Sequence, residues 1–421
     1  MSSAAGTLQP VIRPLSPADR DAVVHLDQWA FGFGTDGIDF EVPLQTLEWD
    51  RTFGATVDGS DDLVGLNSTY SLHLPVPGGR LDCAGLTWVG VHPDARRRGV
   101  LRAMMTHHLR IDRDRGEPIS ALHAAEQPIY GRFGYGLASH QLRLTLPRGA
   151  GLRDVPGADQ VRLRLQHVEP DRHADLLAEC LALAGQHRPG MVDRPSPGLR
   201  RDAVDDQAAS RREAESLRVL LAEDEPGRPL RGYALFRRHG DWTDEMPNGQ
   251  VRVREMVARD PAAARAIWGR LVDLDLTASV ITDDRPLDDP LIQLLHDYRG
   301  TKPRLVDGLW VRLVDLPAAL VGRRYAQNMD VVLGVTDDLL PQNAGTWRLR
   351  GGPDGAGECT PSSAEPDLLL DVRELGAAYL GSVTLDALAG AGLVREVRPG
   401  TLARASRAFQ WPVAAYCGWG F

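Results

Sequence analysis

Val89-Gly90-Val91-His92-Pro93-Asp94-Ala95-Arg96-Arg97-Arg98-Gly99-Val100 joins the end of an apolar strand to the start of a helix through a turn of three arginines and a glycine. Val100, Leu101, Met104, Met105, His108, Leu109 and Asp112 then repeat at helical spacing, five of the seven being apolar. The pattern predicts a helix to about Arg115, where Gly116-Glu117-Pro118 stops it. A glycine turn opening a helix offers unpaired backbone N–H groups and the positive end of the helix dipole, a natural seat for a phosphate. Arg96 and Arg97 add charge-assisted donors, and Gly99 lets the backbone approach closely. Arginine-rich turns in isolation are more often basic helix caps, but a strand before and a helix after this one favour the anion site.

Val11–Pro14 reads as a short strand and Ser16-Pro17-Ala18-Asp19 as the start of a helix through Leu26 and Trp29. Gly54–Val57 and Leu63–His73 alternate like strands paired across Asp58-Gly59-Ser60-Asp61-Asp62, and Leu81–Val91 is a third strand. Beyond the helix come a strand at Ile119–His123, a glycine-rich turn from Gln127 to Gly136 and a closing strand, His140–Leu146. The same outline recurs from Val161, with strands at Leu217–Ala222, Gly232–Arg238 and Val251–Ala258 and a helix over Ala262–Leu271, but without the arginine-rich glycine turn. A third unit starts after Lys302-Pro303, with strands at Leu309–Val314, Asp330–Val335 and Thr346–Arg350.

The 421 residues carry 48 Lys+Arg against 57 Asp+Glu, a formal charge of −9 that gives no electrostatic reason to expect a nucleic-acid partner and suits a cationic ligand better. Lys302 is the single lysine, so the basic side chains are almost all guanidinium forks. Cys83, Cys180, Cys359 and Cys417 stand far apart with no zinc spacing, and His107-His108 lacks a third ligand, so no metal is expected. Neither a signal peptide nor a run of ~20 apolar residues is present, which points to a cytoplasmic protein with no membrane span.

The order of elements, with Val89-Gly90-Val91-His92-Pro93 and Arg96-Arg97-Arg98-Gly99, resembles the GCN5-related N-acetyltransferase (GNAT) fold over about the first 150 residues. Three further stretches resemble the enhanced intracellular survival (Eis) family of acetyltransferases: Ile129-Tyr130-Gly131-Arg132-Phe133-Gly134-Tyr135-Gly136, Asp371–Gly381, and the ending Cys417-Gly418-Trp419-Gly420-Phe421. The resemblance implies an α+β protein of tandem GNAT folds, the second degenerate, with a C-terminal sterol-carrier-like α/β domain. The expected segments are 1–150, the catalytic domain that binds acetyl-coenzyme A; 151–303, the degenerate copy; and 304–421, which delivers the C-terminal carboxylate. It also implies a homo-hexamer.

By the same resemblance the activity is acetyl-coenzyme A-dependent N-acetylation of primary amines, on cationic small molecules such as aminoglycosides or on lysines. Val89, Val91, Arg96, Arg97, Gly99, Val100 and Glu126 are the expected cofactor residues, Val89 and Val91 lying on the strand beside the pantetheine arm. Leu101 stands where glycine or alanine is usual in the acetyltransferase signature, and Ala125 where the family often has serine. Tyr130 is the expected acid for the departing thiolate, with Tyr135 assigned to packing. The Phe421 carboxylate is the expected base, its ordinary pKa of roughly 3.5 being low for that task, with Glu126 and His123 as rivals. The first helix and its loop offer Trp29, Phe31, Phe33, Asp36 and Trp49 as acceptor-binding residues, aromatic walls with a carboxylate that suit a polyamine. A lipid or hydrophobic-ligand binding protein using the sterol-carrier-like domain is the alternative from another class.

Overall fold

The computed structural model describes all residues except 1–8, 35–36, 58–59, 212, 225–228 and 356, so Asp36 and the Asp58-Gly59 turn lie outside the described residues. The chain divides into two compact units. One holds the residues up to Ala138 with Leu309–Pro412 and Gly420–Phe421, and the other holds Ser139–Gly308 and Val413–Trp419.

In the first unit, β1 (Pro10–Pro14), β2 (Thr52–Val57), β3 (Gly65–Val76), β4 (Gly79–Val91), β5 (Ile119–His123) and β6 (Gly136–Leu137) enter one sheet. Helix α1 (Arg20–Phe31) precedes a single turn, α2 (Glu41–Leu44), and α3 (Val100–Asp114) follows the arginine turn as expected. Leu86, Met105, Leu109 and Leu122 form the core beneath α3, with Tyr130, Phe133 and Tyr135 of the glycine-rich turn.

In the second unit, β7 (His140–Pro147), β8 (Arg162–His167), β9 (Arg218–Glu223) and β10 (Gly232–His239) are followed by a small hairpin of β11 (Trp242–Thr243) and β12 (Met246–Pro247), then β13 (Gly249–Ala258), β14 (Thr277–Pro286) and β15 (Arg304–Asp307). Apart from the hairpin, these strands build a seven-stranded sheet in the order β15-β7-β14-β13-β10-β9-β8. It carries α4 (Pro170–Gly185), α5 (Pro197–Ala203), α6 (Pro261–Val272) and α7 (Pro290–Leu294), with Trp268 of α6 fully buried at the centre of a core cluster.

The chain then returns to the first unit. Strand β16 (Leu309–Leu313) pairs antiparallel with both β5 and β6, completing the order β1-β2-β3-β4-β5-β16-β6. A separate sheet of β17 (Met329–Thr336), β18 (Gly345–Gly351), β19 (Glu358–Pro361), β20 (Leu368–Asp371) and β21 (Val394–Glu396) follows, with helices α8 (Leu316–Val321), α9 (Val372–Ala378), α10 (Leu385–Gly390) and α11 (Thr401–Phe409).

Two strands therefore differ from expectation. His140–Pro147, expected to close the first fold, lies in the second sheet, where Leu142, Leu144 and Leu146 face the second core. Leu309–Leu313, expected to open a third unit, lies in the first sheet with Leu309, Val311 and Leu313 fully buried. Alternation identifies a strand with one buried face but does not say which sheet receives it.

Helix α9 is seated on β6 and β16 by small residues. A Cβ on Gly136 would stand 2.0 Å from the Arg373 carbonyl and 2.2 Å from the Ala377 nitrogen, and one on Gly376 would stand 2.3 Å from the Val311 carbonyl. These are backbone atoms and cannot rotate aside. Gly136→Ala should lower the melting temperature by several degrees, as expected for overpacking that costs roughly 1–3 kcal/mol; thermal denaturation followed by circular dichroism reads it directly.

Candidate active site

The parallel ladder between β4 and β5 is short, pairing only Cys83–Gly85 with Ile119–Ala121. Beyond Gly85 the strands part, β5 staying paired along its whole length with β16 on its other edge and β4 keeping its pairs with β3. On β4 the register with β3 shifts opposite Asn67, and Trp88 adopts a left-handed φ of 53°. That conformation costs a tryptophan of order 1–3 kcal/mol. It is held by packing of the indole among Leu26, Leu44 and Leu66, and Trp88 Nε1 stands 3.4 Å from the Tyr70 hydroxyl.

The parted strands open a cleft of about 1000 Å³ in the first unit. One wall is Leu86–Val91, and the other is formed by His123, Ala125, Glu126, Ile129, Tyr130 and Phe133. At one end stands the arginine turn, with Arg96, Arg97, Gly99, Val100, Leu101 and Arg102, and Phe421 also lines the cleft. All the expected cofactor residues and both expected catalytic residues thus share one cavity.

Gly99 has φ 94° and is the N-cap of α3, with no side-chain cap, so the first N–H groups of the helix face outward. Arg97 is exposed, also left-handed at φ 60°. Arg96 has a different engagement from the one its charge suggested: its Nε donates to the Val91 carbonyl at 3.2 Å and its Nη2 to the Ala30 carbonyl at 3.0 Å, tying α1 to the end of β4. The equivalent helix of the second unit is closed. At the N-terminus of α6 the Asp260 carboxylate accepts from Ala263 N at 2.9 Å and from Arg231 at 2.7 and 2.8 Å.

Tyr130 is largely buried, its phenol pushed up to about 12 by burial and then by Glu126. The hydroxyl therefore keeps its proton at neutral pH. Its ring meets Tyr135 edge to face at 6.1 Å. Tyr135 is more than packing: its hydroxyl lies 2.8 Å from Ser120 Oγ and 3.0 Å from His108 Nε2, and His108 lies 3.2 Å from Asp112. Burial pushes His108 down to about 3, so its ring is uncharged at neutral pH, and pushes Asp112 well above the usual carboxylate range. His107 instead packs on Phe53. Phe421 sets its ring against His123 at 5.3 Å and 89°, in space that Gly85 leaves clear.

Of the expected acceptor residues, Phe31 lines the cleft together with Ala30. Trp29 is exposed and leans on His92 at 5.3 Å, Phe33 stacks on Phe40 at 6.0 Å, and Trp49 packs against the core that holds Trp88; none of these three lines the cleft. Asp27 is a further carboxylate of α1, outside the expected acceptor residues. It lies three and four residues before Ala30 and Phe31, hence on the same face of α1, and burial pushes its carboxyl up to about 6.

Models of the acetyltransferase (GNAT) domain match residues 11–138 and 190–313, and a model of the sterol carrier protein domain matches 316–418. An uncharacterized N-acetyltransferase of Streptomyces avermitilis is 42% identical over 93% of this chain and 95% of that protein. N-acetyltransferase Eis of Mycobacterium tuberculosis is 34% identical over 88% of this chain and 91% of its own length. The chain belongs to the Eis family of N-acetyltransferases. The crystal structure of Eis1 from Mycobacterium abscessus superposes with a TM-score of 0.81 at 31% identity, covering 98% of this chain and all of that one. The protein is accordingly an acyltransferase with two GNAT domains and a sterol-carrier domain, and an acyl-coenzyme A is its co-substrate. Among the described residues no helix is long and apolar enough to cross a membrane.

Asp27 generates a signed expectation. With a folded value near 6 against an ordinary 3.8, the folded state holds the extra proton between these values, so stability contributed by Asp27 falls as pH rises through that window. Asp27→Asn should melt higher than the parent at pH 7.5, with the gap closing below pH 4; thermal shift across a pH series measures it.

Proposed function

We propose that this Eis-family enzyme transfers an acetyl group from acetyl-coenzyme A to a primary amine of a cationic small molecule, aminoglycoside-like in charge, or of a lysine. The observation that supports it is the convergence of the Gly99 turn, the Tyr130 hydroxyl and Phe421 on one cleft. The residues fit the donor. The outward N–H groups at Gly99 and the Arg97 charge suit a pyrophosphate, and β4 beyond Gly85 has backbone groups turned to the cleft, where the amides of a pantetheine arm can add as a strand does.

When bound, the co-substrate supplies a thioester. Transfer forms a carbon–nitrogen bond and breaks the carbon–sulfur bond, while one proton leaves the amine and one reaches the thiolate. Tyr130 holds that second proton on its hydroxyl, and burial keeps it there until negative charge develops on sulfur. The terminal carboxylate of Phe421 takes the amine proton or holds the ammonium in line, with Glu126 and His123 on the same cleft as rivals. Phe31 supplies an apolar wall, and the overall charge of −9 favours approach of a cation. Homo-hexameric assembly and a cytoplasmic setting belong to the same proposal by family resemblance, and light scattering that gives the mass of one chain rejects the first.

Gly99→Val places a β-branched residue at φ 94°, so acetyl-coenzyme A affinity should fall at least tenfold with the circular dichroism spectrum unchanged. Unaltered affinity by calorimetry would remove the phosphate-loop assignment. Tyr130→Phe deletes only the proton donor, and kcat should fall by about 10²–10⁴ with little change in acceptor KM. Residues appended after Phe421 should depress turnover while leaving acetyl-coenzyme A binding intact; an extended enzyme with normal turnover moves the base to Glu126 or His123.

A further inference from the structure

The second GNAT fold contains the same topological opening as the first. Its parallel pair, β13 with β14, is hydrogen-bonded from Gly249–Val253 to Thr277–Thr282 and then parts, leaving Arg254–Ala258 on one side and Asp283–Pro286 on the other. In the first unit that opening is the cleft. In the second it is filled by the chain itself.

Segment Val413–Trp419 belongs to the second unit, and Ala415, Tyr416 and Cys417 are all buried. Tyr416 packs with Val257 and Tyr233 on the β13 side, while its hydroxyl donates to the Asp284 carbonyl of β14 at 2.9 Å. The backbone of the segment is read along its length. Asp288 accepts from Ala414 N at 3.0 Å, Arg188 donates to the Ala414 carbonyl at 2.7 Å, Tyr416 N donates to the Pro189 carbonyl at 2.9 Å, and Gln141 Nε2 donates to the Cys417 carbonyl at 2.9 Å. The far end is fixed by Trp419, whose Nε1 donates to the Val192 carbonyl at 3.0 Å and whose ring lies under Arg194 at 5.1 Å. Arg194 is itself buried and paired with Glu255 of β13, which also accepts from Tyr233.

We infer that the second GNAT fold is a peptide receptor whose ligand is the chain's own Val413–Trp419 segment, seated in the opening that serves the acyl-coenzyme A in the first fold. The polar contacts support a peptide. Side chains from three parts of the unit pair with its amides and carbonyls, Tyr416 fills the space between the parted strands, and the N-terminus of α6, where a phosphate would sit, is occupied by the Asp260 carboxylate. The inference concerns the second fold alone and holds whatever the role of Phe421.

The test uses the full chain first. Carboxypeptidase treatment followed by mass spectrometry should trim the parent no further than Trp419, whereas the Gln141→Ala, Arg188→Ala double variant should be trimmed back through Val413. Equal trimming of the two overturns the receptor. A second measurement uses a chain ending at Pro412 and a fluorescent peptide of residues 413–421. One peptide should bind per chain, and Tyr416→Ala in the peptide should weaken it at least tenfold. Absence of peptide binding by a truncated chain with a native circular dichroism spectrum overturns the inference, and if that chain does not fold, the trimming result decides. Peptide bound without restored turnover upholds the receptor while removing Phe421 from the chemistry. Calorimetry that finds two acetyl-coenzyme A molecules per intact chain overturns it.

Discussion

The parting of β4 from β5 after three paired residues is the constraint on which the rest of the first unit depends. A sheet that opens in its middle leaves backbone N–H and C=O groups without a neighbouring strand, and such groups need partners. The opening is maintained from both sides. On β5 the strand β16 holds the far edge along its whole length, and on β4 the register shift at Trp88 turns the strand away. The first device is not local, since β16 follows β5 by almost two hundred residues. A tryptophan at φ 53° is tolerable only because its indole is packed in the α1 core, so the strain at the cleft wall is offset by burial behind it.

The almost complete replacement of lysine by arginine acquires a structural use. Arg51, Arg194, Arg285, Arg312 and Arg323 are all buried, and all but Arg312, which bonds through Nη2 alone, use two or more guanidinium nitrogens. Arg51 reaches both Glu117 oxygens and Thr69, and Arg312 both Asp337 oxygens. Arg323 is paired with no carboxylate in the contacts described. It donates to the carbonyls of Ala378, Tyr379 and Phe409, the final turns of α9 and α11, and lies against the rings of Tyr325, Tyr379 and Phe409. A cation at two helix C-termini completes both dipoles at once, and the forked geometry makes this possible where a single ammonium would not. Arg96 uses the same logic at the cleft, on the carbonyls of Ala30 and Val91.

Much of the first site was legible because its signals are local. The arginine turn, the helix after it and the glycine-rich turn with Tyr130 depend on spacing within about forty residues, and the structure keeps them in one cavity. What was not legible depends on distance or competition. Alternation in Leu142, Leu144 and Leu146 marks a strand equally well for either sheet. The charge of Arg96 does not reveal that two carbonyls claim it. Trp29 and Trp49 have the composition of a binding wall, yet one leans outward on His92 and the other serves the core. Asp27 carries a local signal: an acid at helical spacing among Val23, Leu26 and Ala30 sits on a face that the apolar pattern assigns to the interior.

The two GNAT folds meet one physical requirement in opposite ways. At the helix after the parting strand, the first has Gly99 and leaves its N–H groups outward, while the second has Asp260, which supplies the negative charge covalently and brings Arg231 to balance it. Between the parted strands, the first has a cleft and the second has Tyr416. A duplicated fold that loses its phosphate turn keeps the gap in its sheet, because the gap is set by strand pairing rather than by the turn. Something must then fill it, and an internal peptide has the advantage of a high effective concentration with less translational and rotational entropy to lose than a free molecule. In the second fold the Asp260 cap takes the helix N-terminus and the seated terminal segment takes the gap between the strands, so the two places that a diffusible ligand uses in the first fold are both held by the chain itself.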